Sequence, residues 1–556
     1  MSGGSLEEEL LYVPLGGAGE IGMNFNLYGL GLPGEHRWMA VDLGITFANG
    51  AIPGVEVILP DPAFLEEMSD RLDGLVLTHG HEDHLGAVAY LWDRLKCPIY
   101  ATPFTASIVR RKLAEAGLAD EAPVTGVPLG GRFQVGPFDL ELITVTHSIP
   151  EPNSLAIRTP HGVVLHTADW KFDPGPVVGP TADEAALKRL GDEGVLAMMC
   201  DSTNVFVPES KGSEADLLES LTQTIGACEN AVAVACFATN VARLSTISAA
   251  ARANGRDVVL VGRSLTRINQ VARENGYLSD VPAFLDEACA GYPPRDKLLF
   301  ICTGSQGEPR AALARIAAGE HKNVALEKGD TVIFSSKIIP GNEILIGRLQ
   351  NQLIRRGVEV ITENDSFVHV SGHPARDELI RMYGFIRPRI CVPLHGELRH
   401  LEENARLARE CGVPETVVAE NGSMVRLAPG EAAIAGEVPS GRLVQEGRRI
   451  VSMDSELLRG RNKALYNGSA VVTAVIDGEG YLVGQAQIAT TGLIDGDWEE
   501  MTALVNTALA DALDDIPKRD LGDDGRVRHE LRVAVRRVFR QELGKKPVTA
   551  IHLVRV

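Results

Sequence analysis

The sequence predicts an α/β protein of several domains, in which a second α/β domain is inserted into the first. Short apolar runs alternate with helical patterns from about residue 10 to residue 210, as in sheets covered by helices. A second rhythm of the same kind follows at 211–365. Polar residues expected to meet at one site lie on both sides of that segment. The chain of 556 residues is also long enough for three or four domains.

The first informative element is a strand followed by a polar hexapeptide. Leu72–Thr78 has the composition of a buried strand, and Leu85–Leu95 has helical spacing. Between them, residues 79–84 read His-Gly-His-Glu-Asp-His. The alternative is a polar loop whose histidines only form hydrogen bonds. Three histidines and one aspartate within six residues favour a bound cation, because such a cluster otherwise has to tolerate its own repulsion.

The spacing within this hexapeptide suits two metal ions. Imidazole nitrogens and carboxylate oxygens are ordinary zinc ligands. His79 and His81 can point the same way from an extended loop and share one ion. Asp83 and His84 are turned away and suit a second ion. Two ions about 3.5–4 Å apart can hold a bridging hydroxide.

Four groups cannot complete two zinc sites, so further ligands are expected downstream. The carboxyl edge of a parallel sheet is the usual location of α/β active sites, and three polar residues follow strand-like segments. They are His147 after Leu140–Thr146, Asp169 after Val163–Ala168 and His395 after Ile390–Leu394. Four other histidines are predicted to be surface or supporting residues: His161, His166, His321 and His400.

Residues 211–365 predict a parallel sheet of Rossmann type, because strand signals alternate there with helical segments. The strand-like segments are Ala231–Ala238, Asp257–Gly262, Lys297–Cys302 and Thr331–Ser335. Val241–Ala253 has helical spacing directly after the first of them. Since this region lies between Asp169 and His395, the second domain is predicted to be an insertion.

The composition changes beyond residue 428. Ala428–Gly447 is rich in Gly, Pro and Ala and is predicted to be partly linker. A hairpin around Asp477-Gly478, two helices and a closing strand are predicted after it. Their bounds are Ala470–Ile476, Tyr481–Ala489, Trp498–Asp514, Arg526–Leu543 and Thr549–Val556. The predicted domains are 1–210, 211–365, 366–428 as the return to the first domain, a linker at 429–462, and 463–556.

The last predicted helix has a basic face and an apolar face. Residues 526–546 contain eight Lys or Arg against two Glu. The apolar face consists of Leu531, Val535, Val538, Phe539 and Leu543. RNA contact and packing with a solvated basic face are both compatible with this pattern, and the second is commoner.

These motifs resemble the metallo-β-lactamase superfamily, in particular its β-CASP nuclease branch and the bacterial ribonuclease J family. HxHxDH followed by a spaced His, Asp and His is the superfamily pattern. Seven further segments match in family order: Leu15–Tyr28, Ala40–Phe47, Asp201–Asn204 (DSTN), Phe237–Asn240 (FATN), Thr303–Pro309 (TGSQGEP), His369–Leu379 and Pro393–Glu397. The resemblance implies an αββα sandwich with an inserted Rossmann-like β-CASP domain and a small α+β C-terminal domain.

The resemblance also implies roles for individual residues. It assigns His79, His81 and His147 to one zinc ion, and Asp83, His84 and His395 to the other, with Asp169 bridging both. Asp201, His373 and Asp83 are the expected catalytic residues: Asp201 orients the ligands, and His373 protonates the leaving oxygen. The expected substrate-binding residues are Ala238, Thr239, Asn240, His369, Val370, Ser371, Gly372 and His373. For Thr303–Glu308, a turn shaped by its glycines is as plausible as substrate contact. Ala242 departs from the family, since many relatives carry His there.

The family's activity implies a two-zinc ribonuclease in RNA decay and maturation, with Mn²⁺ or Mg²⁺ as alternative activating ions. A zinc-activated water would attack the scissile phosphorus. The expected action is 5′-to-3′ exonuclease cleavage favouring 5′-monophosphate ends, together with endonuclease cuts. The expected partners are single-stranded RNA, further copies in a homodimer or homotetramer, and proteins of an RNA degradosome.

Three other functions fit parts of the sequence. A β-CASP DNA nuclease shares the motifs. A small-molecule metallohydrolase shares the metal pattern but does not account for the inserted domain. A non-catalytic RNA-binding scaffold is disfavoured by the intact set of seven ligand candidates.

The net charge of −20 argues against a general polyanion binder, although local fields can still prevail in a groove. A group of arginines offers either such a field or solvated helix faces: Arg243, Arg263, Arg267, Arg273, Arg348, Arg355 and Arg356. Met1–Leu10 does not resemble a signal peptide, and no apolar run reaches the length of a membrane span. None of the eight cysteines forms Cys-x-x-Cys, so reduced thiols in a cytoplasm are expected.

Overall fold

The structure is a computed structural model that describes residues 7–48, 52–493 and 499–556. Trp498, the predicted start of a C-terminal helix, lies outside the described residues, as do positions 1–6 and 49–51 of the predicted first domain and 494–497 of the last. The described chain forms two compact units, one of residues 7–48 and 57–443 and the other of 52–56 and 444–556. The predicted domain boundaries stay predictions.

The first part of the chain contains fourteen strands and five helices among its described residues. The strands are β1 (Glu9–Gly16), β2 (Ala18–Gly19), β3 (Phe25–Gly31), β4 (Arg37–Val41), β5 (Thr46–Phe47), β6 (Val57–Pro60), β7 (Leu72–Val76), β8 (Ile99–Ala101), β9 (Val124–Gly126), β10 (Arg132–Val135), β11 (Phe138–Thr144), β12 (Asn153–Thr159), β13 (Gly162–His166) and β14 (Val195–Asp201). The helices are α1 (Ala63–Glu66), α2 (Glu82–Leu85), α3 (Val88–Leu95), α4 (Pro103–Glu115) and α5 (Glu184–Glu193).

The middle of the chain alternates strands and helices, and the chain then returns to the first sheets. The middle elements are α6 (Leu217–Gly226), β15 (Val232–Ala235), α7 (Val241–Ala253), β16 (Asp257–Val261), α8 (Arg263–Glu274), β17 (Leu298–Cys302), α9 (Ala312–Ala318), β18 (Thr331–Phe334), α10 (Glu343–Arg355) and β19 (Glu359–Ile361). The returning elements are α11 (Arg376–Ile386), β20 (Ile390–Leu394), β21 (Gly396–Glu397), α12 (Leu398–Glu410), β22 (Glu415–Thr416), β23 (Ser423–Ala428) and β24 (Ala433–Glu437).

The C-terminal elements follow without a long irregular segment. They are β25 (Arg442–Glu446), β26 (Arg449–Ser452), α13 (Glu456–Asn467), β27 (Ser469–Ile476), β28 (Gln487–Thr491), α14 (Glu499–Asp514), α15 (Asp524–Leu543) and β29 (Val548–Arg555). The expected linker at 429–462 is therefore wrong as a description of its structure. Leu443 and Val444 are buried in β25, so short apolar runs prevail there over the Gly and Pro content.

Two large sheets pack face to face around the main core. One has the order β24-β23-β1-β3-β4-β7-β8-β9, and the other β10-β11-β12-β13-β14-β20-β22. Between them lie buried apolar side chains from both sheets, such as Tyr28, Val41, Leu155 and Val392. The outer face of the second sheet is covered by α5, α11 and α12 through Leu190, Met382, Leu407 and others. This arrangement confirms the predicted αββα sandwich.

The inserted domain is visible in the strand pairing. β14 and β20 are parallel neighbours, with Ala197 opposite Ile390, although the whole middle segment separates them in sequence. That segment forms a five-stranded parallel sheet of order β16-β17-β15-β18-β19. α7 has the predicted bounds, and Asn240 caps it by accepting a hydrogen bond from the Arg243 N–H at 2.9 Å. The Rossmann-like insertion is confirmed.

The C-terminal unit is a three-stranded sheet of order β28-β27-β29 with α14 and α15 against it. The Asp477 carboxylate accepts hydrogen bonds from the backbone of Glu479 and Tyr481, which forms the predicted turn. Four of the five predicted apolar positions of α15 are buried. Leu543 is exposed instead, because the helix ends at that residue before Gly544.

Two expectations about the chain as a whole can be compared with the described residues. No helix in this part of the chain is both long and apolar enough to cross a membrane. All eight cysteines are described and free: Cys97, Cys200, Cys236, Cys302 and Cys391 are buried, and Cys228, Cys289 and Cys411 are partly buried.

Candidate metal centre

The predicted ligands converge at the carboxyl ends of strands in the two packed sheets. β7 leads into His79, β11 into His147, β13 into Asp169 and β20 into His395. The hexapeptide is not entirely a loop, since α2 begins at Glu82. The backbone turns from extended at His81 to helical at the next residue, so the two halves of the hexapeptide face different ligand groups.

The first ligand group consists of His79, His81, His147 and Asp169. His81 Nδ1 lies 3.2 Å from His79 Nε2 and 3.0 Å from His147 Nε2. Asp169 Oδ2 lies 3.9 Å from His79 Nε2 and 3.7 Å from His147 Nε2. Three imidazoles and one carboxylate therefore point at one small volume, as in a zinc site.

The second ligand group consists of Asp83, His84, His395 and the same Asp169. Asp83 Oδ2 lies 3.6 Å from His84 Nε2 and 3.3 Å from His395 Nε2. Asp169 contributes both oxygens, with Oδ2 at 3.2 Å from His84 Nε2 and Oδ1 at 3.1 Å from His395 Nδ1. Asp169 is thus shared between the two groups.

A third group was not anticipated by the sequence. His373 and Asp201 meet Asp169 and His395 closely enough to form a further possible coordination set. His373 Nδ1 donates a hydrogen bond to Asp201 Oδ2 at 2.9 Å, and it lies 3.9 Å from Asp169 Oδ2. The resemblance had assigned His373 to proton transfer and substrate binding, not to a ligand group.

The chemistry of these residues fits cations. Asp169 Oδ1 is buried and, despite its ion-pair contact with His395, has no hydrogen bond of good geometry. Burial lowers the pKa of His81 to about 4 and that of His147 to about 3, so both are neutral imidazoles that can bind metal. Burial raises the pKa of the Asp169 carboxyl, but the His395 and His84 charges outweigh it and hold that pKa well below its usual range.

The two histidines of the second group carry protons that a metal would replace. Burial lowers the pKa of His84 and of His395, but the charge of Asp169 outweighs burial and raises both pKa values well above the usual range. A cation at the same place would supply the positive charge instead, because histidine binds metal in its neutral form.

A carboxylate and a hydroxyl group behind the ligands orient the histidine rings. His84 Nδ1 donates to Asp42 Oδ2 at 2.7 Å, and Asp42 also accepts from the Thr78 N–H and hydroxyl. His79 Nδ1 donates to the same Thr78 hydroxyl at 3.0 Å. Such partners raise ligand basicity and fix ring orientation. The sequence signal for Asp42 was available, because it directly follows the buried strand β4.

Strained backbone occurs at three positions of this centre. Asp42, Ala168 and His395 have φ values of 61°, 51° and 53°, which are in the left-handed region that favours glycine. Residues with side chains are held in this region mainly where the surrounding structure overrides the strain, as at functional sites.

Gly372 is required for the position of His147. Its carbonyl accepts a hydrogen bond from His147 Nδ1 at 2.6 Å. A Cβ atom on Gly372 would lie 2.6 Å from that same nitrogen and 2.8 Å from Cε1. The absence of a side chain therefore permits the approach of the 369–373 loop to the first ligand group.

We expect Gly372→Ala to reduce metal affinity by about 10–100-fold, the usual cost of losing an orienting partner of a ligand. The added methyl group would displace the His147 ring. Zinc affinity by competition with a chromogenic chelator measures the effect. Gly384→Ala in α11 is the matched control, because nothing lies within 4 Å of its added Cβ. Equal zinc affinity in both variants would contradict the proposed role of Gly372.

Part of the predicted substrate-binding set lines a small, partly open cavity of about 20 Å³ beside the first ligand group. Its walls include His147, Lys171, Asn240, Ala242 and residues 370–372. Ala242, where a His was expected, presents no polar group there. Ala238, Thr239 and His369 are not among the described residues that line this cavity.

His369 faces a buried arginine instead. Its Nδ1 lies 3.4 Å from Arg243 Nη1. Burial, and then the charges of Arg243, Lys337 and Lys171, lower the pKa of His369 well below its ordinary value. His369 is therefore neutral, and its contact with Arg243 helps to hold the 369–373 loop in place.

Arg243 itself is not on a solvated helix face, as one reading of the arginine group suggested. It is fully buried and forms a paired contact with Glu214, with Nε at 2.6 Å from Oε1 and Nη2 at 2.9 Å from Oε2. Its Nη1 donates to the Ser335 carbonyl and hydroxyl at 2.8 and 2.6 Å. The remaining arginines of α8 and α10 are exposed or half-buried.

Four family models match this chain: "Metallo-beta-lactamase superfamily" at residues 38–197, "Ribonuclease J, beta-CASP domain" at 229–353, "Zn-dependent metallo-hydrolase RNA specificity domain" at 357–419 and "Ribonuclease J C-terminal domain" at 456–556.

Three similar curated proteins are named ribonuclease J. Ribonuclease J of Sinorhizobium meliloti is 44% identical over 552 residues, which cover 99% of this chain and 98% of that protein. Ribonuclease J of Corynebacterium glutamicum is 37% identical over 96% of this chain and 74% of its own length. That of Thermus thermophilus is 33% identical over 98% and 95%. A solved protein of unknown function from Enterococcus faecalis is 15% identical, with a TM-score of 0.51 over 75% of this chain and all of its own, so it supports the fold alone.

Proposed function

The chain belongs to the ribonuclease J family, and we propose on this premise that it is a two-zinc ribonuclease with 5′-to-3′ exonuclease action on 5′-monophosphorylated RNA and additional endonuclease activity. At the coarser level it is a nuclease hydrolase with a metal-binding site and RNA as its substrate. RNA decay and maturation are the processes that such an activity would serve.

One observation carries the proposal: the Asp169 carboxylate is shared between two buried groups of ligand atoms. The atoms within each group lie no more than 4.8 Å apart. His79, His81 and His147 would hold one ion, and Asp83, His84 and His395 the other. When bound, such ions supply a nucleophile at neutral pH by lowering the pKa of water and neutralise charge on the phosphate.

The protein's own residues would then orient the histidine rings and protonate the leaving oxygen. Asp42 and Thr78 hold the rings of His84 and His79. Asp201 holds His373 through Nδ1, which leaves Nε2 to donate a proton to the departing 3′ oxygen. Burial lowers the pKa of His373, but the charges of Asp201 and Asp169 outweigh it and raise that pKa, so the protonated form that a general acid needs is favoured.

The walls of the cavity beside His147 support a 5′ phosphate as the bound group. The N-terminal end of α7 meets the cavity at Asn240 and Ala242. A helix N-terminus favours negative charge, which suits a 5′ phosphate.

Two alternative functions would use the same kind of metal centre. A DNA nuclease of the β-CASP group would need the same metal centre, and the 2′-hydroxyl is the sugar group by which a protein distinguishes RNA from DNA. A small-molecule hydrolase would need no inserted domain. The match to an RNA specificity domain at residues 357–419, which contain His369–His373, favours RNA.

A three-substrate assay tests the proposal. The protein is incubated with 5′-monophosphorylated RNA, 5′-triphosphorylated RNA and DNA of the same sequence, each 3′-labelled, with and without chelator. We expect the 3′-labelled strand to shorten progressively from its 5′ end down to a labelled mononucleotide. This shortening should be abolished by chelator and be fastest for the 5′-monophosphorylated RNA. Equal cleavage of DNA would overturn the assignment to RNA, and immediate release of the labelled 3′ nucleotide would overturn the polarity.

His373→Ala should lower turnover by about 10²–10⁴-fold, the usual contribution of general acid–base catalysis. The assay is hydrolysis of the 5′-monophosphorylated RNA, with the zinc content measured in parallel. His161→Ala, at the β12–β13 turn, is the control and should retain wild-type turnover. A His373→Ala variant that has lost its zinc would show that His373 is a ligand, as the third group also allows, and would argue against proton transfer.

The cellular setting is also part of the proposal. Eight free cysteines accord with the reducing cytoplasm. Exposed apolar side chains in the C-terminal unit, such as Tyr466 and Val554, support a homodimer or homotetramer, which light scattering would test. Mn²⁺ or Mg²⁺ as activating ions and degradosome proteins as partners are proposed from the family alone.

A further inference from the structure

A lysine of the inserted domain contacts a residue that is hydrogen-bonded to the 369–373 loop. Lys337 follows β18, and its Nζ donates a hydrogen bond to Asn204 Oδ1 at 2.9 Å. Asn204 in turn donates from Nδ2 to the Ser371 hydroxyl at 2.8 Å and to the His373 carbonyl at 3.1 Å. The ammonium group is therefore two hydrogen bonds from the residue proposed to protonate the leaving oxygen.

The backbone of Lys337 is held by the TGSQGEP segment. Gln306 Nε2 donates to the Lys337 carbonyl at 2.8 Å, and Gln306 Oε1 accepts from the Ile339 N–H at 3.0 Å. One side chain thus binds both sides of the same turn. Gly307 allows the close packing, because a Cβ there would lie 2.7 Å from the Leu345 carbonyl carbon. Thr303–Glu308 was predicted to be a turn or a substrate contact. The contacts of Gln306 show that this segment also holds the backbone around Lys337.

Charge distinguishes Lys337 from its two cationic neighbours around His369. Arg243 is neutralised by Glu214, and Lys171 Nζ lies 3.5 Å from Asp173 Oδ2. Across the described part of the chain, no carboxylate oxygen comes within 4.0 Å of Lys337 Nζ. Its side chain is exposed. A cation that has no close carboxylate and is joined to the 369–373 loop through Asn204 stands out in a chain whose net charge is −20.

We propose that Lys337 is a substrate-contacting residue that binds a backbone phosphate of the RNA next to the scissile one, and that Gln306 is a positioning residue that holds it there. The inference rests on the proposed function. An ammonium group has three N–H donors, of which Asn204 takes one, so two remain for phosphate oxygens. Phosphate contacts fix the register of a strand without reading its sequence.

The test compares Lys337→Gln and Lys337→Arg with the wild type. Dissociation constants and kcat/KM for 5′-monophosphorylated RNA of two unrelated sequences are measured over a range of salt concentrations. Lys322→Gln is the matched control, since Lys322 is an exposed lysine of the same inserted domain. The binding measurements use chelator-treated protein, in which turnover is expected to stop.

We expect Lys337→Gln to weaken binding by about 10-fold to 150-fold for both sequences, the range for a hydrogen bond to a charged group. The slope of log K against log salt should fall by about 0.7, the value for one phosphate on a single strand. Lys337→Arg should retain both values, because it keeps the charge. Gln306→Ala should weaken binding, and its effect should largely vanish in the Lys337→Gln background, because Gln306 acts through Lys337.

Several outcomes would overturn the proposal. Unchanged affinity and salt slope in Lys337→Gln would show that Lys337 makes no phosphate contact. A fall in kcat at unchanged affinity would mean that Lys337 only braces Asn204 and His373. If the wild type itself neither binds nor cleaves RNA, the proposed function fails as well. If the wild type cleaves RNA and Lys337→Gln binds and cleaves it equally well, only the proposed role of Lys337 fails.

Discussion

Asp169→Asn is expected to reduce RNA hydrolysis by at least about 10³-fold. Removal of a single neutral donor at a reacting centre costs about 10²–10³-fold, and here a charge shared by both ligand groups is lost. The amide is nearly the same size as the carboxylate, so the fold should survive. Turnover of 5′-monophosphorylated RNA, measured with the metal content of the same preparation, checks the prediction.

Two aspartates provide graded controls. Asp42→Asn removes the charge behind His84 without removing a ligand, so a smaller loss of about 10–100-fold is expected. Asp183 caps α5 through its Oδ1, and Asn is an equally good cap, so Asp183→Asn should keep wild-type turnover. An Asp169→Asn variant with full zinc content and wild-type turnover would refute the shared site. His81→Ala is expected to abolish cleavage, because it removes an imidazole of the first ligand group.

Arg243→Met is expected to destabilise the inserted domain by about 3–5 kcal/mol, the usual cost of breaking a buried ion pair from one side. Glu214 would keep its charge without a partner in a buried position. The Ser335 carbonyl and hydroxyl would lose their shared donor. Native-state hydrogen exchange at the amides of β17 and β18 measures the opening free energy of this domain alone.

The second partner of the pair gives the control for this prediction. The double variant Arg243→Met with Glu214→Met should recover much of the loss, because both charges leave the interior together. Arg252→Met, at an exposed position of the same helix, should change the opening free energy by no more than about 0.5 kcal/mol. Identical exchange in Arg243→Met and Arg252→Met would show that the buried pair carries no stability.

The convergence of the candidate metal ligands was predictable because strand ends carry local signals. His147, Asp169 and His395 each follow an apolar run, and parallel strands bring such positions to one edge. The insertion was predictable for a related reason, since residues that must meet lie on both sides of it. α7 was predicted to the residue, because Asn240 is a strong N-cap before an apolar helix.

Other features depend on contacts between distant segments and left no local signal. The burial of Arg243 requires Glu214, 29 residues earlier, and Ser335, 92 residues later. The approach of Gly372 to His147 joins positions 225 apart. The strands within 429–462 were missed because Gly and Pro suggested a linker, although two buried side chains, Leu443 and Val444, were sufficient for β25.

The central claim is that the shared ligand groups hold metal and that this metal is needed to cleave RNA. The most direct test is a titration of chelator-treated protein with zinc, in which bound zinc per chain and the initial rate of RNA hydrolysis are measured on the same samples. The rate should be negligible without zinc and should reach its maximum at two ions per chain. Chelator-treated protein that contains no metal and still hydrolyses RNA at the rate of the untreated enzyme would contradict the claim.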